Sequence, residues 1–274
     1  MDVALIMMAG GVAAGAFGSL LGLGGGILIV PLLTLGFDLP LREAVGVSLV
    51  SVIATSGASA GVYLQRHVAN LRLGMTLELF TALGALAGAL IAFAIPDQAL
   101  AFLFSGLLIY VGLTMLRGLR ADRGEEAATL DEDPPLDDTA DGALARLSGP
   151  GYRIRRFWPG VGGSVFAGVV SALLGVGGGI VKVPVMHLVM GVPLRVASAT
   201  SNLMIGVTAS ASAIIYLLRG GIDPYVAGPT VIGVFVGATV GSRSAHRIDV
   251  RILRVLFVVV IFYTAWQMLS RALG

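Results

Sequence analysis

Apolar residues in this chain form long uninterrupted runs, and polar positions gather in the short gaps between them. The runs fall at 3–21, 44–64, 73–95, 99–116, 160–174, 196–218, 225–245 and 252–270. Each is near or above the length of about 20 residues that carries a helix across about 30 Å of hydrocarbon. The pattern predicts an all-α polytopic membrane protein with eight long helices.

The runs are built from a repeated unit. Leu20-Leu21-Gly22-Leu23-Gly24-Gly25-Gly26-Ile27 recurs as Leu173-Leu174-Gly175-Val176-Gly177-Gly178-Gly179-Ile180, an offset of 153. At that offset, without a gap, Pro31 falls on Pro184 and Pro40-Leu41-Arg42 on Pro193-Leu194-Arg195. Ser48 meets Ser201, Thr55 meets Thr208, and 22 of 47 positions between 20 and 66 are identical in the second copy. Two copies of an apolar unit, each interrupted by glycines, are the pattern of a secondary transporter whose site lies at the repeat interface.

The glycines predict a break. A straight helix from 3 to 35 would run about 50 Å at 1.5 Å per residue, too long for one span of about 30 Å. Three consecutive glycines propagate a helix poorly, at roughly 1 kcal/mol each relative to Ala, and Pro31 follows. Either the chain turns back at Gly22 to Gly26, leaving short helices near 26–38 and 179–191, or one tilted span carries an unwound middle. Irregular backbone at membrane depth is tolerated where it is buried in protein or lines a cavity, and helix N-termini there favour anions. The spaced pairs Gly84/Gly88 and Gly237/Gly241 read instead as close helix contacts. Neither glycine block sits in a strand–helix context or ends in Gly-Lys-Ser/Thr, so nucleotide-binding loops are excluded.

Composition agrees with a membrane solvent. The chain is 56% hydrophobic and 12% charged, against about 25% charged for soluble domains. The first apolar run has no basic segment before it and leads straight into the repeat, so it reads as a membrane helix and not as a signal peptide. The basic balance belongs to arginines at helix ends, and no nucleic-acid partner is expected. Residues 121–150 hold 9 of the 16 acids together with Pro134, Pro135 and Pro150. The reading divides the chain into a first transmembrane repeat at 1–120, an acidic cytoplasmic linker at 121–156 and a second repeat at 157–274. Loop charge changes sides between the halves. Arg66, His67 and Arg72 follow the second long helix of the first half, whereas Arg247, Arg251 and Arg254 follow the third of the second half. Inverted-topology repeats with glycine-broken or re-entrant helices predict that exchange. Eight crossings with parallel repeats are the alternative.

Candidate chemistry is sparse. Lys182 is the only lysine, three residues past Gly179, where the first copy has Ile29. Inside a membrane segment it reads as an anion ligand; as a bland alternative it snorkels to the interface. Ser48, Thr55, Thr200, Ser201, Asn202 and Thr208 provide hydroxyls and an amide beside the breaks, with Asn202 opposite Leu49 in the other copy. With Gly24, Gly25, Gly26, Gly177, Gly178, Gly179 and Lys182 they form the expected substrate site. His187 and Glu78 are candidates for a proton relay, or else interfacial residues. Tyr63, Tyr216, Trp158 and Trp266 read as interface anchors. Without Cys, a His-x-x-x-His pair or an intramembrane carboxylate dyad, no cofactor, metal or catalytic role is expected. The expected partners are a small anion and the lipid bilayer, with possible proton coupling; oligomeric state is left open.

The twin LLGxGGGI…VP blocks, each followed by PLR…A…S, resemble the TauE/SafE family of sulfite exporters across both halves, omitting the linker. The resemblance implies a multi-pass permease of the bacterial inner membrane. It would move sulfite or small organosulfur anions without an ATPase subunit, as a probable exporter. An anion channel, or an uptake permease for a different small anion, is the alternative.

Overall fold

A computed structural model describes residues 2–21, 25–65, 69–121, 147–148, 152–244 and 250–273. The first half holds α1 (Asp2–Leu21), α2 (Gly26–Gly36), α3 (Leu41–Gln65), α4 (Leu71–Ala94) and α5 (Asp97–Ala121). The second holds α6 (Phe157–Leu174), α7 (Gly179–Pro184, continued by a π-helical turn Val185–Val189), α8 (Leu194–Leu218), α9 (Pro224–Ser244) and α10 (Val250–Leu273). Eight of these are long and apolar enough to cross a membrane, and they fall on the eight apolar runs. The protein is an all-helical polytopic membrane protein.

Local chemistry sets the helix ends. The Asn70 side chain caps α4, accepting from the Leu73 amide at 3.0 Å, as N-cap residues do. Gly175, at φ 70, closes α6. Pro184 has no amide for the carbonyl one turn back. The following turn widens, and the Met190 amide bonds to the Val185 carbonyl.

Each short helix turns back on the long helix before it. Gly10 packs on Leu32 and Gly25 lies against the Ala14 carbonyl, so α2 runs antiparallel to α1. In the second half Gly160 packs on Met190, Gly163 on Val185 and Gly178 on Ala167, so α7 and its π turn run antiparallel to α6. Of the two readings of the glycine breaks, the re-entrant hairpin is the one adopted. Residues 22–24 of the first turn lie outside the described residues.

The halves interlock by exchange. Helix α1 packs along α9, and its equivalent α6 packs along α4. Small residues bring these backbones together: Gly237 meets Val12 and Gly241 meets Ala16, while Gly84 meets Val165 and Gly88 meets Val169. Both pairs run parallel. The equivalent helices α3 and α8 cross at the centre in opposite directions, with Gly46 against Gly221 and Ser56 against Asn202. Helices α5 and α10 pair at one flank.

The expected interface anchors divide. Tyr216 is not an interface anchor: it is fully buried, and its hydroxyl donates to the Ala172 carbonyl at 3.0 Å. Trp158 and Trp266 are exposed, as expected, and the Tyr63 side chain lies outside the described residues. At the end of the linker, Tyr152 and Ile154 are buried against Leu73 and Leu77. Most of the linker, 122–146, lies outside the described residues.

Candidate functional site

The two glycine breaks touch. Gly26, which opens α2, lies directly on the Gly175 carbonyl, and an added Cβ would also meet Val52 at 2.9 Å. Ser48 of α3 ties the breaks together, its hydroxyl shared between the Gly175 carbonyl at 2.7 Å and the Gly26 carbonyl at 3.2 Å. Gly177 packs between Ile205 of α8 and Val52 of α3. Gly178 has φ 76, a left-handed conformation that L side chains avoid. The first intrahelical bonds of α7 run from the Val181 and Lys182 amides to the Gly178 carbonyl, at 3.1 and 3.0 Å. The amides of Gly179 and Ile180 therefore precede the helical ladder and face the break.

Two hydroxyls flank this break without a partner. Ser171 of α6 lies beside Gly178, and Ser201 of α8 lies beside Gly179. Both are buried, at 0% and 1% exposure, and neither Oγ makes a hydrogen bond. Buried polar groups in folded proteins are nearly always bonded.

Lys182 stands one turn further on, 1% exposed. Its ammonium donates to Glu78 Oε2 of α4 at 2.8 Å and to Thr208 Oγ1 of α8 at 2.6 Å. The Thr208 hydroxyl in turn donates to Glu78 Oε1 at 2.6 Å. The snorkelling reading of Lys182 is therefore overturned. Helical side chains lean toward the N-terminus of their own helix, which carries this ammonium back toward the break and away from the interface. Glu78 is likewise no interfacial carboxylate, at 7% exposure. The triangle joins three helices and both halves of the chain.

The remaining expected residues divide. Gly25 and Gly26 lie at the crossing, while Gly24 lies outside the described residues. Thr55, the counterpart of Thr208, bonds to the Val52 carbonyl at 2.9 Å. Thr200 accepts from the Asn70 amide at 2.9 Å, which fixes the entry to α4. Asn202 gives its backbone carbonyl to Ser56 at 2.8 Å. His187 is not brought into the cluster: its ring is exposed on the π turn, with Nδ1 2.9 Å from the Val192 carbonyl. Ser171 was missed by sequence reasoning. The repeat offset, carried two residues upstream of Leu173, sets Ser171 opposite Gly18 and would have exposed it as another departure from symmetry.

Comparison with known proteins covers nearly the whole chain. Residues 7–268 match the family model described as Sulfite exporter TauE/SafE. A probable membrane transporter protein of Bacillus subtilis (strain 168), YunE, is 24% identical over 276 residues, covering 97% of each chain. A probable membrane transporter protein of Xylella fastidiosa (strain 9a5c) is 27% identical over 267 residues, covering 94% of this chain and 93% of its own. MamO of Paramagnetospirillum magneticum (strain ATCC 700264 / AMB-1), also described as a probable membrane transporter protein, is 27% identical over 98% of this chain but only 44% of its own. No solved structure matches the chain significantly.

Proposed function

The chain belongs to the TauE/SafE sulfite exporter family, and from that premise we propose that this multi-pass membrane transporter carries small sulfur-containing anions such as sulfite or short sulfonates. One observation carries the reading. Two buried hydroxyls that make no hydrogen bond flank a backbone break that touches its counterpart from the other half, and a buried lysine stands one turn into the helix that follows. Discontinuous helices meeting at a repeat interface are the usual setting of a transported anion. The site would hold the anion through the Ser171 and Ser201 hydroxyls, the Gly179 and Ile180 amides and the charge of Lys182. Together these replace part of a hydration shell.

Alternating access would come from movement of the halves about the crossing. The antiparallel packing of α3 on α8 supports repeats inverted across the bilayer, each with four long helices and one short helix that turns back. Export is the direction that the family name suggests. The test is flux into proteoliposomes holding the purified protein, with sulfite, sulfate, thiosulfate and methanesulfonate supplied in turn. Saturable flux of a sulfur anion, accelerated by the same anion on the far side, is expected. Non-saturating conductance would make the protein a channel, and the absence of flux for all four anions would refute the reading.

A further inference from the structure

Lys182 cannot serve an anion while its charge is matched. In the triangle with Glu78 and Thr208, two of its three ammonium protons are taken, one by a carboxylate. Thr208 is fully used as well, accepting from Lys182 and donating to Glu78. The ionised pair has no net charge. An anion added to it would leave one uncompensated negative charge among buried groups, which a low-dielectric site opposes strongly. If a proton arrives with the anion, the charge returns to zero: Glu78 is neutral, and Lys182 faces the anion instead.

We propose that Glu78 is the proton-coupling residue of the transporter, and that its protonation releases Lys182 to bind the anion. This rests on the anion-transport reading above. The step is a proton transfer alone: a proton from water adds to a Glu78 carboxylate oxygen, and the Lys182 ammonium exchanges that carboxylate for the incoming anion. Proton and monovalent anion then bind together, and their transport is electroneutral. By linkage, each favours binding of the other.

The segment packed on α4 through Tyr152 and Ile154 brings Tyr152, whose hydroxyl accepts from Asn70, and the exposed Arg153, Arg155 and Arg156; the other elements add few titrating groups. Helix α6, packed along α4, carries no ionisable side chain. Helix α8 carries Arg195 in its first turn and Tyr216 near its end, and the Tyr216 hydroxyl is bonded to Ala172. The α7 hairpin carries Lys182 and the exposed His187. Arg72, on α4 itself, is exposed in its first turn. Among the described residues, Lys182 is the ionisable group in contact with Glu78.

The test uses the full-length protein and two monovalent probes that stay ionised across the range, methanesulfonate and ethanesulfonate. Wild-type affinity for whichever is carried should rise as pH falls from about 8 to about 5.5, by up to about tenfold per pH unit. Each binding event should take up a proton, read with an indicator dye in weak buffer. Glu78→Gln, which cannot titrate, should bind at one affinity throughout and take up no proton. Wild-type binding without proton uptake would overturn the proposal, as would a Glu78→Gln protein that keeps the wild-type pH slope. Should that variant fail to fold, the wild-type proton count decides alone. If neither probe binds and none of the four anions of the flux assay moves, anion transport itself is refuted and this proposal falls with it; flux without proton uptake removes only the proposal.

Discussion

A lone lysine on an apolar hairpin and a lone glutamate on an apolar helix 104 positions away look like separate anomalies in the sequence. Together they are one neutral unit. Breaking a buried pair by deleting one partner leaves an uncompensated charge and costs about 3–5 kcal/mol. Glu78→Ala should therefore lower the melting temperature in detergent markedly, whereas the double variant Glu78→Gln/Lys182→Met should restore most of it. The open serines give the reverse signature. Removing an unpartnered buried hydroxyl leaves no orphan behind, so Ser171→Ala and Ser201→Ala should melt at or above the wild-type temperature. Each should nonetheless weaken anion affinity roughly 2- to 10-fold, the worth of a hydrogen bond of about 0.5–1.5 kcal/mol. A serine variant that loses stability and keeps its affinity would make these hydroxyls structural. The sequence showed Lys182, Ser201 and Glu78 as candidates. It did not show that they belong together, because nothing local encodes a contact between α4 and α7. The available signal was charge bookkeeping: two single opposite charges inside apolar spans each need a partner.

Among the elements, the re-entrant hairpins were the most legible feature. Triple glycine followed by proline, in a run too long for one span, left little room for a continuous helix. The expected short pieces at 26–38 and 179–191 are observed at Gly26–Gly36 and Gly179–Val189. The direction of the Lys182 side chain was not legible, because it depends on which way the chain runs after the break. The breaks also serve as contact surfaces, which periodicity does not reveal. A methyl at Gly26 would run into the Gly175 backbone. Overpacking of this kind costs about 1–3 kcal/mol. Gly26→Ala should lower both stability and flux. By contrast Gly57→Ala, also on an apolar helix, meets nothing within 4 Å and should leave both near wild type.

On the scale of the molecule, charge orients the bundle. The α1, α2 and α3 geometry sets the starts of α1 and α3 at one end, with Asp38, Arg42, Asp97, Asp223 and Arg271 near it. There Arg42 pairs with Asp97 at 2.8 Å and Arg271 with Asp38 at 2.7 Å. At the other end Arg72, Arg153, Arg155 and Arg156 lie near the place where Asn70 bonds to Leu147 and Tyr152. Because arginine-rich ends favour the cytoplasm, we propose that this end and the linker lie inside and both termini outside. The chain has no cysteine, so single cysteines introduced at 2 and 273 should react with an impermeant maleimide added to intact cells. Labelling only after lysis would reverse the topology. Duplication and swapped loop charges are the signals in the sequence for this orientation. The exchange of α1 onto α9 and of α6 onto α4 was not, since it is specified by close packing at scattered glycines.

The claim at the centre of this account is that one asymmetric anion site, built around Lys182, sits where the two halves cross. Sulfite counterflow in proteoliposomes, comparing wild type with Lys182→Met, tests it most directly. Saturable, trans-accelerated flux is expected in the wild type and a fall of at least about tenfold in the variant, from loss of a charged ligand worth roughly 1.5–3 kcal/mol. A Lys182→Met protein that is folded in the membrane and still carries sulfite at the wild-type rate would contradict it.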